Sequence, residues 1–253
     1  MPPFDTTTKP ITVSIVSHGH LGLIRVLLDQ LDKYSHGVIE KIVLTINIPE
    51  YDELAGRQWR FPVERIDNSA AKGFGANNNQ AFSRCATPWF LVLNPDMQFH
   101  VDVLAPLLAA ALPRSGILAP RIFEPGRTQP EQHRRMITPL EILMRRRSGY
   151  RRPEKPDWIP GLFMLFRTST FAEIGGFDER FFMYGEDFDI CARAQLAGWQ
   201  LQVCEKLVAL HDARRASHGS AKHLYWHTTS LLKVWMSRAY WRFAASRFNR
   251  HRN

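Results

Sequence analysis

The sequence predicts an α/β fold with a mainly parallel central sheet flanked by helices, and three observations predict it. A β-branched run at residues 11–17 is followed at once by leucines at helical spacing over 21–31. Strand-like and helix-like segments then alternate as far as residue 112. Short polar groups stand directly after the strand-like runs, where open α/β sheets bind ligands.

The first strand, 11–17, is apolar enough for burial on both faces, as a central parallel strand requires. Further strand signals follow at 38–48, 63–66 and 90–93, with helical material at 75–83 and 103–112 between and after them. Beyond about residue 120 the pattern loosens, and 124–127 and the basic stretch 145–152 read as turns and surface segments. Order returns at 159–166 and 168–174, then in a helix at 186–196 and a strand at 207–210. No internal repeat interrupts this order.

Of the 253 residues 45% are hydrophobic and 23% charged, which supplies a packed interior and excludes a disordered chain. Cys85, Cys191 and Cys204 are odd in number and far apart, so they read as reduced thiols rather than as a disulfide framework or zinc site. The start of the chain lacks a basic-then-apolar leader, and the best apolar run, 101–112, is short and contains Asp102, so neither secretion nor a membrane span is expected. The net charge of +9 lies in the tail: residues 213–253 hold nine Lys and Arg and no Asp or Glu. The expected organisation is a domain at 1–212 and a basic amphipathic helical extension at 213–253. Leu224, Leu231, Leu232, Trp235, Ala239 and Phe243 recur at roughly helical spacing there, which suits docking on an anionic membrane surface. Trp226, Trp235, Tyr240 and Trp241 among the cations also fit a nucleic-acid arm, the less favoured partner.

Three polar groups follow strands: Ser17-His18-Gly19-His20, then Asn47, then Asn94-Pro95-Asp96. Asp96 is fixed by four apolar residues and a proline, and a carboxylate there suits a divalent ion bridging phosphates; it equally suits a turn cap. Lys72-Gly73-Phe74-Gly75-Ala76-Asn77-Asn78-Asn79 brings two glycines for close backbone approach and three amides able to read a base or ribose, or else simply opens a helix. Residues 175–189 set Asp178, Glu179, Glu186, Asp187 and Asp189 among aromatic residues, surroundings that raise a carboxyl pKa and hold a base ready. The same acids also suit a helix N-terminus. His211, after a strand, is either structural or a ligand.

These motifs resemble, in order and spacing over about residues 11–212, the family 2 glycosyltransferases of the GT-A fold, especially rhamnosyltransferase-like bacterial members that build surface polysaccharides. The residues that carry the resemblance are 13–17, Gly73-Phe74-Gly75-Ala76-Asn77-Asn78, Leu93-Asn94-Pro95-Asp96, Gly175-Gly176-Phe177-Asp178-Glu179 and Glu186-Asp187-Phe188-Asp189. It implies a Rossmann-like sheet and an inverting transfer of a sugar from a nucleotide diphosphate, dTDP-rhamnose or a UDP-sugar, to a saccharide or lipid-linked acceptor. Asp96 stands at the last position of the Asp-X-Asp motif that holds Mg²⁺ or Mn²⁺, with His211 as a further ligand. Asp187 stands at the catalytic base, supported by Glu186 and Asp189. Ser17, Asn47, Gly73, Asn78 and Asn94 form the expected donor-binding set. Asn94 replaces the first acid of Asp-X-Asp and so removes one anionic ligand, while Asn47, Ala71 and Ala81 replace Asp, Asn and Gly of many members. The reduced thiols and missing leader point to a cytoplasmic protein, and the basic tail helix to one peripheral at the inner face of the membrane. The competing expectation is a non-catalytic membrane- or polysaccharide-binding subunit that keeps the fold.

Overall fold

The computed structural model describes residues 9–212 and 221–250. Strands β1 (Ile11–Ser17), β2 (Ile39–Ile46), β3 (Val63–Asp67) and β4 (Trp89–Leu93) lie in the order β3-β2-β1-β4, all parallel. All five residues of β4 and all but Val16 of β1 are buried, as the apolar runs demand. Helix α1 (Leu21–Ser35) buries Leu21, Ile24, Leu27, Leu28 and Leu31, one face of a 3.6-residue period. Because β1 is flanked by β2 on one side and β4 on the other, chain order reverses between β1 and β4, and a crevice opens at their carboxyl ends.

The second half of the sheet adds β5 (Met97–Gln98), β6 (Ser115–Phe123), β7 (Phe163–Arg167) and β8 (Gln200–His211), giving β4-β7-β6-β8-β5. Here the expected parallel sheet acquires antiparallel pairings, β4 with β7, β6 with β7, and β5 with β8. The reason lies in the excursion at 124–162, which leaves β6 at the carboxyl edge, so that β7 re-enters the sheet from that edge. Helix α3 (Leu104–Ala109) precedes β6, and α4 (Pro139–Met144) interrupts the excursion; Thr138 Oγ1 caps α4 by accepting from Glu141 N at 3.0 Å.

Two motifs separated by about a hundred residues interlock at the base of the crevice. Helix α2 (Phe74–Phe82) begins where Gly73 and Gly75 meet residues 177–182. A Cβ on Gly73 would stand 2.6 Å from Phe182 O, and one on Gly75 would stand 2.7 Å from Phe177 Cβ. Asn79 then bonds the Phe177 backbone twice, accepting from its N and donating to its O, both at 2.9 Å. Helices α5 (Thr168–Glu173) and α6 (Glu186–Leu196) bracket this segment.

The tail expected as one helix is two, α7 (Ala221–Met236) and α8 (Arg238–Arg250). They part at Ser237, whose N donates to Val234 O and whose Oγ accepts from Tyr240 N at 3.1 Å, ending one helix and capping the next. Tyr240 and Phe243 are buried against Phe188 of α6, with ring centroids 5.8 and 6.1 Å away, and Arg247 pairs with Asp157 at 2.9 Å. Of the expected apolar stripe, Leu231, Trp235 and Phe243 pack inward while Leu224 and Leu232 stay exposed. Residues 213–220 and 251–253 of the expected extension, with Arg214, Arg215 and Arg252, lie outside the described residues. Among the described residues no helix is long and apolar enough to cross a membrane.

Candidate active site

Sheet register builds the first half of the site. β5 pairs antiparallel with β8 so that Met97 faces His211, and Asp212 N donates to Asp96 O at 3.0 Å. This brings Asp96, just past β4, to His211 at the end of β8, with His211 Nε2 3.0 Å from Asp96 Oδ2. Burial works to lower the His211 pKa, but the hydrogen bond and charge of Asp96, aided by Glu124 and Glu131, outweigh it and raise the value. Asp96 Oδ1 and His211 Nδ1 are buried with no hydrogen-bond partner, an arrangement that leaves one oxygen and one nitrogen with unused capacity. Among the described residues no third His, Cys, Asp or Glu joins them, so an ion held there must draw its other ligands from substrate and water.

The second half comes from the start of α6. Tyr184 and Gly185 both have positive φ, 71° and 88°, which turns the chain sharply into the helix; the Tyr184 ring stacks on that of His227 at 3.5 Å. The helix then fans its acids around the axis by about 100° per residue. Glu186 and Asp187 line a cavity of about 480 Å³, whereas Asp189 turns away and pairs with Arg193 at 2.7 Å. Burial, then the charge of Asp187, pushes the Glu186 carboxyl up to about 8, and its Oε2 has no partner. Burial also raises Asp187, opposed by the Phe188 N–H at 2.8 Å and the Gly161 N–H at 3.4 Å. One acid thus keeps an unpartnered oxygen, while the N–H groups at the other favour its charged form.

The other expected residues divide by role. Asn94 lines the cavity, its N–H bonded to Leu162 O at 2.9 Å. Asn47 also lines it, but its amide is occupied: it donates to Lys72 O and meets His18 Nδ1, and it accepts from Lys72 N and Asn68 Nδ2. Asn78 is 1% exposed, accepting from Ser14 Oγ at 2.8 Å and donating to Phe74 O at 2.9 Å, which ties α2 to β1. Ser17 is buried and accepts from His20 N at 3.1 Å. Gly73 faces Phe182 rather than the cavity. Sequence reasoning missed Arg134, Arg145 and His227, all of which line the cavity; Lys72, His18 and His20 do so too, and the motifs that hold them had marked their place. Nothing local signals Arg134 or Arg145, because they arrive from a segment without periodicity.

A family model, glycosyl transferase family 2, matches residues 49–172, and a second, described as the N-terminal domain of galactosyltransferase, matches 146–219. The chain is 32% identical over 203 residues to the N-acetylglucosaminyl-diphospho-decaprenol L-rhamnosyltransferase of Mycobacterium tuberculosis, an alignment covering 68% of this chain and 66% of that one. The chain belongs to glycosyltransferase family 2. It is also 28% identical over 246 residues to the rhamnosyltransferase WbbL of Escherichia coli K12, with 88% of this chain and 91% of the relative covered. Solved structures share its fold: GalNAc-T7, crystallised with UDP, GalNAc and Mn²⁺, has a TM-score of 0.68 at 20% identity over 96% of this chain and 51% of that one. The mannosyltransferase PcManGT of Pyrobaculum calidifontis, in complex with GDP-Man and Mn²⁺, scores 0.60 at 15% identity over 89% and 65%. This family 2 chain therefore spans about two thirds of the mycobacterial relative and half of the GalNAc-T7 chain.

Proposed function

We propose that this chain is an inverting glycosyltransferase that moves a sugar, rhamnose in the first instance, from a nucleoside diphosphate to a saccharide hydroxyl on a lipid-linked acceptor. The observation that carries the reading is the pairing of Glu186, with an unpartnered buried oxygen, and N–H-bonded Asp187 in a single cavity at the carboxyl ends of the parallel strands. Burial pushes the Glu186 carboxyl up to about 8, so it keeps its proton at neutral pH, while the Phe188 and Gly161 N–H groups oppose the rise that burial causes at Asp187 and favour its charged form. Asp187 accepts the proton of the acceptor hydroxyl as that oxygen bonds to the anomeric carbon; the bond from that carbon to the diphosphate breaks, and the nucleoside diphosphate leaves with the electron pair. Protonated Glu186 spares Asp187 a like charge at its side.

Mg²⁺ or Mn²⁺ fits the donor set of Asp96 and His211, whose unpartnered oxygen and nitrogen match what a hard or borderline cation takes beside diphosphate oxygens. Such an ion would supply charge stabilisation on the departing diphosphate. The rhamnosyltransferase relatives favour rhamnose as the sugar, and the mycobacterial one a prenyl-linked acceptor; dTDP-rhamnose is the donor proposed, with UDP-sugars as the alternative. Exposed Leu224, Tyr225, Leu232 and Met236 on α7, with Trp241 and Phe248 on α8, support attachment at the inner, anionic membrane face where such acceptors lie.

The test is a thermal-shift panel of nucleotide sugars with Mn²⁺, followed by product analysis. A preferred donor raises the apparent Tm and gives a product of inverted anomeric configuration. The reading fails if no nucleotide sugar stabilises the protein and none is consumed.

A further inference from the structure

A second cavity, of about 1100 Å³, adjoins the first, and Asn94, Arg134, Arg145, Trp158, Leu162 and Tyr184 line both. Most of its wall comes from the excursion between β6 and β7 and contains seven arginines against four carboxylates, one of them Asp96. Ion pairs occupy part of that charge: Arg127 bonds Glu124, while Arg134 and Arg152 share Glu131. Arg145, Arg146 and Arg147 form no ion pair among the described residues. They follow one another directly past α4, and burial, with Arg134 next, holds the Arg145 pKa below its ordinary value. An anion relieves this crowding, and the planar guanidinium fork suits phosphate oxygens.

The diphosphate of the donor does not account for the surplus. A divalent ion held by Asp96 and His211 would already offset its charge, leaving little net negative charge for three more cations. The neighbouring helix points to a ligand with an apolar end. No residue of α4 is buried, and Leu140, Leu143 and Met144 are 67%, 61% and 39% exposed immediately before the three arginines. An apolar ridge that passes into cations matches a molecule whose lipid portion continues into phosphate.

We propose that the cavity beside α4 is a subsite for the diphosphate of the lipid-linked acceptor, held by Arg145, Arg146 and Arg147. The acceptor sugar then extends past Trp158 and Tyr184, common to both cavities, to Asp187. This assignment rests on the glycosyl-transfer reading for the identity of the ligand.

The test compares the full chain with the double variant Arg146→Ser, Arg147→Ser. In the first arm, inorganic pyrophosphate is titrated into protein already saturated with dTDP or UDP, so that the donor site is filled. Saturable binding is expected, weakened on the order of 10-fold to 100-fold in the variant, as loss of charge-assisted bonds predicts. Absence of binding by the wild type, or equal binding by the two proteins, overturns the subsite. The second arm takes the ratio of kcat/KM for a short-chain prenyl-diphosphate sugar over an alkyl glycoside of the same sugar. That ratio should fall by a similar factor in the variant. An unchanged ratio overturns the proposal, and an unchanged ratio with weakened nucleotide affinity assigns the arginines to the donor instead. If the wild type transfers to neither acceptor, the glycosyl-transfer reading fails by itself and the pyrophosphate titration still decides the subsite.

Discussion

The amides beside β1 and the acids at the start of α6 meet at one cavity and are built to opposite rules. In the amide cluster of Asn47, Asn68, Asn77 and Asn78, only Asn68 Oδ1 lacks a partner; Asn47, Asn77 and Asn78 all donate and accept. By contrast Glu186 Oε2 has none, and in the adjoining metal-type pair Asp96 Oδ1 and His211 Nδ1 have none. Buried polar groups whose bonds are complete hold a shape, whereas those with bonding capacity left over are places where substrate can be bound or protons moved. Position after a strand does not separate the two kinds; bond accounting does.

The sharpest way to break this contrast is Asp187→Asn, which keeps size and deletes the base. Transfer should fall by about 10²-fold to 10⁴-fold while nucleotide-sugar affinity persists, and near-normal turnover with an inactive but folded Glu186→Gln would reverse the assignment. Next is Asp96→Ala, expected to lower metal-stimulated turnover by on the order of 10²-fold, with His211→Ala costing about tenfold; titration of activity against Mn²⁺ reads both. An Asp96→Ala protein with an ordinary metal response removes Asp96 from the site.

The amide side should respond in stability instead. Asn78→Ala removes the acceptor of buried Ser14 Oγ and the side-chain donor to Phe74 O, a cost of about 1–3 kcal/mol, which lowers Tm by roughly 2–4 °C per kcal/mol while turnover per folded molecule holds. Lost turnover at unchanged Tm would dissolve the distinction between the two groups. The smallest effect tests Glu186. Its pKa rises from 4.5 unfolded to about 8 folded, so the folded chain holds this proton more tightly; the resulting stability is full below about 4.5 and lost as pH climbs through 8. Glu186→Gln cannot ionise, and relative to wild type it should gain at least about 1 kcal/mol between about pH 5 and pH 8.5, seen as a Tm difference of roughly 2–4 °C. A pH-independent difference would show that the carboxyl is solvated.

The parallel half of the sheet was legible because each strand is a short apolar run closed by polar residues. β6 was not, because Gly116 and Pro120 interrupt it; Pro120 lies where the β6–β8 register shifts, so the proline marks an irregularity rather than a strand's end. β8 showed only at 207–210, since its earlier residues alternate with exposed polar ones. In the site, Asp96, His211, Glu186 and Asp187 were legible as types at strand and helix ends. The two glycines after Lys72 were assigned to ligand approach, but what they approach is the backbone and ring of residues 177–182, a contact across about a hundred residues that no local pattern encodes. The arginines of the excursion were visible as charge and invisible as lining, because tertiary folding alone brings them around one cavity.

Helix α7 closes over the turn that carries the acids: Val234 fills the space beside Gly185, His227 covers Tyr184, and Ser230 Oγ donates to Met183 O at 2.8 Å. These residues leave the ribosome after every other part of the cavity. At ~5–20 residues per second, Leu231 follows Asp187 by about 2–9 s. Throughout that interval the turn at 183–185 lacks the cover that α7 gives it, so the last side of the cavity is laid down after the acids it encloses.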